Sequence, residues 1–289
     1  MHALGRTGLH VSRLGLGTGR LFALSEAETF ALLDTAYALG VRLFDTAPSY
    51  GGAEERLGAW IRGRKPRDVV ISTKLGYGVP GVPDWSADCI RLGIEQALIR
   101  LGVECIDLVH LHSCPGAVAV EEGIQAALLE AQRAGKVSVL AYSGENEDLD
   151  RALSCPSFGA VQLSLSVVDQ GSRALRLPSL EARGIGVLVK RPLGNAPWAM
   201  RGPAEGPEEE YRRRFAALEL EEPAIGWADF ALRFSAFSPG VHAVLLGTQD
   251  TARLALAVKA LEAGPLPEAL RVAVIARWEA RAAGWRGVV

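Results

Sequence analysis

Eight short β-rich runs alternate with amphipathic helical stretches almost to the end of the chain, a pattern that few folds satisfy. The runs fall at residues 14–16, 42–45, 69–74, 106–112, 137–143, 160–165, 186–190 and 241–246. Three of them, Val69-Val70-Ile71, Val187-Leu188-Val189 and Val244-Leu245-Leu246, contain continuous apolar triplets, as expected of parallel strands buried on both faces. In the gaps the period becomes helical. Ile90, Ile94, Ala97, Leu98 and Leu101 form one stripe, and Trp227, Phe230, Ala231 and Phe234 form another. Ser25 with Glu28 three residues later predicts a capping box opening the first helix. Eight β-then-α units in 289 residues predict an α/β fold, a (β/α)8 TIM barrel, with residues 1–289 as a single domain. Residues 1–12 lie outside the alternation and are expected to form a β-hairpin covering one end of the barrel. The rival fold is a doubly wound dinucleotide-binding sheet, which needs G-x-G-x-x-G after an early strand. Gly15-Leu-Gly17-Thr-Gly19 has the wrong spacing.

Charge and composition narrow the partners. A formal net charge of −2, with basic residues spread along the chain, argues against nucleic acid. No stretch approaches the roughly 20 apolar residues of a membrane span, and the N-terminus lacks the apolar core of a signal peptide. Four cysteines (Cys89, Cys105, Cys114, Cys155) without a C-x-x-C pair are read as reduced thiols of a cytoplasmic protein. A monomer or weak homo-oligomer is expected. Only five of the 31 basic residues are lysine: Lys65, Lys74, Lys136, Lys190 and Lys259. Each lysine in so arginine-rich a chain calls for an explanation.

Three apolar runs end in an ionisable residue: Asp45, Lys74 and His112. In a barrel such ends converge on one rim, where barrel enzymes keep their chemistry. Tyr50 lies on the turn just past Asp45. An ammonium beside a phenol favours the phenolate left after proton donation, and a buried ammonium needs a counter-ion, which Asp45 is placed to supply. A histidine on the same rim can hydrogen-bond a substrate oxygen. Together these groups can protonate an oxygen that is becoming an alkoxide, which carbonyl reduction by hydride transfer requires.

The block Gly40-Val-Arg-Leu-Phe-Asp45-Thr-Ala-Pro-Ser-Tyr50-Gly-Gly-Ala-Glu54 resembles the signature of the aldo-keto reductase family. The resemblance begins near Leu4 and runs through Ile71-Ser-Thr-Lys74, Asp107-Leu-Val-His-Leu-His112, Gly135-Lys-Val137, Arg191-Pro-Leu-Gly194 and Gly247-Thr248. It implies an enzyme that reduces a small aldehyde or ketone with a nicotinamide cofactor, usually NADPH, and without metal. By that resemblance Tyr50 donates the proton, Lys74 and Asp45 tune it, and His112 orients the carbonyl. Cofactor contacts are implied at Gly17, Thr18, Ser143, Gln162, Lys190, Arg191, Pro192, Leu193, Gly247, Thr248 and Arg253. The match is uneven. Gly144 replaces the asparagine that usually follows Ser143, with Glu145 or Asn146 as substitutes. Lys190-Arg191 replaces a stacking aromatic, and Leu256 and Ala257 replace an adenine-contacting pair. Arg253 is the residue expected to favour the 2′-phosphate of NADPH, with NADH left open. These departures leave an alternative, a catalytically weak NADP(H)-sensing regulatory or binding protein on the same barrel.

Weaker signals remain. His110 and His112 form an H-x-H whose side chains share one strand face, but further ligands are lacking and no metal site is expected; His110 is expected inside the barrel with a hydrogen-bond partner. Cys114 is expected to be a buried, inert thiol. Two irregular stretches, residues 76–86 and 194–210, follow the third and seventh runs. Trp85, Tyr77, Phe22, Trp198 and Met200 are candidate pocket walls, with ordinary loop packing as the alternative. A helix is expected over 268–281 and, since the chain ends soon after it, so is a comparatively open pocket.

Overall fold

Alternate residues of a strand face the same side, and this parity builds the barrel from the inside out. The computed structural model describes residues 1–289. A two-stranded antiparallel hairpin, β1 (His2–Ala3) and β2 (His10–Val11), precedes eight parallel strands. These are β3 (Leu14–Gly17), β4 (Leu43–Asp45), β5 (Val70–Leu75), β6 (Ile106–His112), β7 (Val137–Ser143), β8 (Ala160–Ser164), β9 (Gly186–Lys190) and β10 (Ala243–Gly247). They close into a barrel in sequence order, with β10 beside β3.

The inward series runs Leu43 then Asp45 on β4, Val70, Ser72, Lys74 on β5, and Leu108, His110, His112 on β6. It continues as Val139, Ala141, Ser143 on β7, Ala160, Gln162, Ser164 on β8, and Leu188, Lys190 on β9. The lower members pack together as an apolar plug, which Leu4 and Val11 of the hairpin segment close from below. The Arg6 amide donates to Gly184 O at 2.8 Å, tying the hairpin to the start of β9. Moving up each strand, the same face turns polar, so the polar layer sits at the C-terminal rim. The register aligns it: Lys74 beside His110, His112 beside Ser143, and Ser143 beside Gln162.

The outward residues, such as Phe44, Ile71, Val109, Leu140 and Val187, join the larger core beneath the helices. The capping box is present: Ser25 Oγ accepts from the Glu28 amide at 3.3 Å, and Glu28 accepts from the Ser25 amide at 2.8 Å. The Ile90 stripe lies on helix Ala87–Leu101, the Trp227 stripe on Trp227–Ala236, and the expected last helix is Glu268–Arg281. One stretch is more ordered than its composition predicted. Within 194–210, a helix (Gly206–Leu218) begins at Gly206, because Pro207 tolerates a first turn and Glu208 and Glu209 favour its positive end.

Candidate active site

Lys74 is fully enclosed at the top of β5. Its ammonium donates to Asp45 Oδ2 at 2.6 Å and to the Thr46 carbonyl at 2.8 Å, and lies 4.9 Å from the centre of the Tyr50 ring. Burial alone would push this ammonium down; the charge of Asp45, then the Tyr50 phenol, outweigh it and hold Lys74 above the ordinary lysine range. Asp45 Oδ1 accepts from Ser72 Oγ at 2.7 Å and Gln162 Nε2 at 3.0 Å, so both carboxylate oxygens are satisfied. Tyr50 sits on the turn after β4, its ring against Gly19, where a Cβ would come within 3.6 Å of it. The His112 ring stands nearly perpendicular to the Tyr50 ring, 6.2 Å away between centres. Burial, reinforced by the nearby Lys74 and Lys190 charges, pushes His112 down to about 3. It is a neutral imidazole at any working pH.

His110 lies in the layer below, fully buried, with Nε2 3.0 Å from Ser72 Oγ. Burial pushes it down to about 4. The unfolded chain takes up a proton on this residue as pH falls through ~6.5, whereas the folded chain does not until about pH 4. The stability from neutral His110 is therefore present above ~6.5 and lost as pH falls toward 4, by up to about 1.4 kcal/mol per pH unit. His112 acts in the same direction. The denaturation midpoint is expected to drop over this window, with His110→Asn flattening the drop by one proton's worth of slope. An unchanged pH dependence in that variant would contradict the assignment. Cys114 is buried, and burial pushes its thiol up to about 12, so it is no nucleophile at neutral pH. No group of three or more His, Cys, Asp or Glu is arranged to hold a metal ion.

The remaining candidates line the other half of the rim. Gly17 ends β3 beside Gly247 of β10. Thr18 is buried, its amide donating to Asp45 O, and Thr248 Oγ1 accepts from the Asp250 amide at 3.1 Å. Ser143 Oγ donates to Gln162 Oε1 at 3.0 Å. Lys190 pairs with Glu145 at 3.1 Å; burial pulls its ammonium below the usual lysine range against the opposing charge of Glu145. Arg191 follows β9 in the left-handed region (φ +53°), the Pro192 carbonyl accepts from Ser235 Oγ, and Leu193 packs on the core. Arg253 lies in the first turn of helix Thr251–Glu262 with its side chain 79% exposed, 3.5 Å from Asp250. The departure at Gly144 has a packing cause: any Cβ there would approach the Tyr142 ring to 2.6 Å.

The expectation of an open pocket is overturned on this half. The chain end folds back over β7, β8 and β9. Asn146 and Gly287 exchange two hydrogen bonds of 2.9 and 2.8 Å, the Val288 amide donates to Asp169 Oδ2 at 3.1 Å, and Arg191 Nη1 donates to Val288 O at 2.8 Å. Arg214, itself buried, donates to Arg286 O at 2.7 Å. Beneath this strap, burial pushes Asp169 up to about 6, with the charge of Glu145 adding to it. Of the two proposed substitutes for the missing asparagine, Asn146 is committed to Gly287, while Glu145 holds Lys190 and the Ser164 amide through Oε1 and keeps Oε2 without a partner. Of the candidate walls, Tyr77 stands beside His112 and Trp85 beside Tyr77, with ring centres 5.5 Å (Tyr77–His112) and 5.8 Å (Tyr77–Trp85) apart. Phe22 packs on the Tyr50 turn at Gly51. Trp198 instead stacks on Trp227 at 5.9 Å, which is loop packing.

The donor set suits a nicotinamide dinucleotide. Ser164 Oγ and the acceptor Glu145 Oε2 are buried on this arc without a partner, Ser143 and Gln162 carry groups that could bind an amide, and Arg191 and Arg253 carry charge that could meet phosphates. Fold and site together define a nicotinamide-dependent oxidoreductase on a (β/α)8 barrel. The model described as Aldo/keto reductase family matches residues 13–270, and the chain belongs to that family. It is 30% identical to L-galactose dehydrogenase of Arabidopsis thaliana over 88% of this chain and 85% of that protein. It is also 30% identical to the aldo-keto reductase yakc [NADP(+)] of Schizosaccharomyces pombe, over 73% of this chain and 67% of that one. An aldo-keto reductase from Bacillus halodurans in its holo form superposes with a TM-score of 0.81 at 24% identity, covering 96% of this chain and 95% of that one, a likeness of fold.

Proposed function

We propose that the protein reversibly reduces an aldehyde or ketone to an alcohol with NADPH, with Tyr50 as the proton donor. The observation that carries this is the enclosed Lys74 ammonium, fixed between Asp45 and the Tyr50 ring, with a neutral His112 standing 6.2 Å from that ring. The nicotinamide, when bound, supplies the hydride. Ser143 and Gln162 hold its carboxamide, Lys190 and Arg191 stand where a stacking aromatic would be, and Gly17, Thr18, Gly247 and Thr248 line the path to Arg253. His112 hydrogen-bonds the carbonyl oxygen, and Tyr50 protonates that oxygen as charge develops on it. Lys74 stabilises the phenolate that remains. The cytoplasm is the inferred location, on four cysteines that stay unpaired.

A relative named for a sugar, spanning most of this chain, makes aldoses the first substrates to assay. NADPH consumption against a panel of sugars, aldehydes and ketones tests the reading, and silence across the panel with intact cofactor binding would favour the NADP(H)-sensing alternative. The strap across the cofactor half is the observation on that side, because bound cofactor would have to share Arg191 with it. Cofactor preference is tested at Arg253. Its exposed guanidinium is the group for a 2′-phosphate, so Arg253→Ala is expected to weaken NADPH about ten- to hundredfold and leave NADH unchanged, a charge-assisted contact being worth ~1.5–3 kcal/mol. Equal affinities for the two cofactors, unaltered in the variant, would remove the preference.

A further inference from the structure

We propose that Tyr77 is a positioning residue for His112, its hydroxyl holding the imidazole in the tautomer that turns an N–H toward the substrate carbonyl. The proposal rests on the reading of His112 as the carbonyl-orienting group. Tyr77 Oη lies 2.5 Å from His112 Nδ1 and 2.9 Å from Ser49 Oγ, so one phenol bridges the turn that carries Tyr50 and the top of β6. This leaves Nε2 as the ring nitrogen open to the site. A neutral imidazole has one N–H, and which nitrogen carries it is set by the bond the other makes.

The backbone is built to place this phenol. Gly76 is at φ +123°, and a Cβ there would fall 1.9 Å from the Trp85 ring. The Trp85 amide donates to Gly76 O at 2.6 Å, and the Trp85 ring meets Tyr77 edge-on at 5.8 Å. Tyr77 is thereby held between Trp85 on one side and His112 on the other.

The direction of the bond follows from the three groups. The phenol has a single proton and two neighbours. The imidazole nitrogen is the stronger acceptor, and the exposed Ser49 hydroxyl is free to rotate and donate to the phenol oxygen. His112 is kept neutral by burial, and burial also pushes Tyr77 above the ordinary tyrosine range, so it retains the proton it donates. Tyr77 then donates to Nδ1, and Nε2 carries the hydrogen. The reverse polarity, with Nδ1–H donating to Tyr77 and Tyr77 to Ser49, would aim a lone pair at the carbonyl oxygen and oppose binding.

Nitrogen-15 NMR of histidine-labelled protein at pH 7, without cofactor, reads the tautomer directly, with His112→Gln used to assign the signal. The expected wild-type spectrum is one neutral tautomer protonated on Nε2. Tyr77→Phe, which keeps the ring and its packing, is expected to give mixed tautomers and to lower kcat about five- to tenfold, the worth of one hydrogen bond, with NADPH affinity unchanged. Ser49→Ala is expected to leave the Nε2 tautomer of the wild type unchanged, because Tyr77 then has only His112 to donate to; under the reverse polarity the wild type would carry Nδ1–H and the variant would shift away from it. A wild-type proton on Nδ1, or an unchanged spectrum in Tyr77→Phe, overturns the proposal. Because the spectrum needs no turnover, the two readings fail separately. Expected spectra without reduction of any carbonyl would sink the reductase reading, and normal reduction with an Nδ1 proton would sink this one.

Discussion

Tyr50→Phe is expected to lower kcat by about 10²–10⁴-fold, the usual contribution of a positioned general acid, while NADPH binding changes little. The variant deletes one hydroxyl and keeps the ring that rests against Gly19, so packing gives no reason for loss of fold. No neighbour can replace the lost donor. His112 is pushed down to about 3, which leaves no imidazolium near neutral pH, and Lys74 is held above the ordinary lysine range by its buried partner. Both are poor acids at the pH where the enzyme works. The cofactor half of the rim is built from β3 and β7 to β10, to which the Tyr50 hydroxyl makes no hydrogen bond, so affinity should survive. Stopped-flow turnover with a fluorescence titration of NADPH separates the two quantities. Retention of more than about a tenth of the wild-type rate would falsify the proton-donor role, since a hundredfold loss is the lower bound for such a group.

The barrel was legible because two periods, one of strands and one of helices, are written in apolar residues along the chain. The candidate site was legible for a narrower reason. Asp45, Lys74 and His112 each end an apolar run, and a polar residue there has few places to be except the rim. Parity carried His110 into the interior in the same way, where it bonds Ser72 as expected. What stayed hidden was contact made by backbone or between distant loops. Gly287 meets the Asn146 side-chain amide across 141 positions of sequence through its own main-chain N–H and C=O, and nothing in the composition of residues 286–288 announces it. Tyr77 looked like a pocket wall, because a tyrosine in a Gly- and Pro-rich loop carries no mark of which side chain its hydroxyl will meet. Gly144 looked like a missing ligand, and the Tyr142 ring that excludes a side chain there is visible only in three dimensions.

The second large effect is expected at Lys74. Lys74→Met should cost about 3–5 kcal/mol of stability, because it leaves the Asp45 carboxylate buried without its counter-charge. The side chains of the pair are 1% and 6% exposed, so water cannot take the place of the ammonium. Ser72 and Gln162 still donate to Oδ1, but Oδ2 loses its 2.6 Å partner and no other donor is in place. The double variant Asp45→Asn with Lys74→Met removes both charges and should recover most of the loss, as neutral replacements of buried pairs do. A coupling below about 1 kcal/mol in that cycle would show that the pair is not what holds this corner together. Activity distinguishes the charge from its chemistry. Lys74→Arg restores a cation, yet a guanidinium is larger and planar and spreads its charge over three nitrogens, and the enclosure at the top of β5 is shaped around a single nitrogen that reaches Asp45, Thr46 O and the Tyr50 ring at once. Its stability should return part of the way and its kcat should not. In a chain that uses arginine for 26 of its 31 basic residues, lysine is kept at this position by the proton chemistry of its neighbour and not by charge alone.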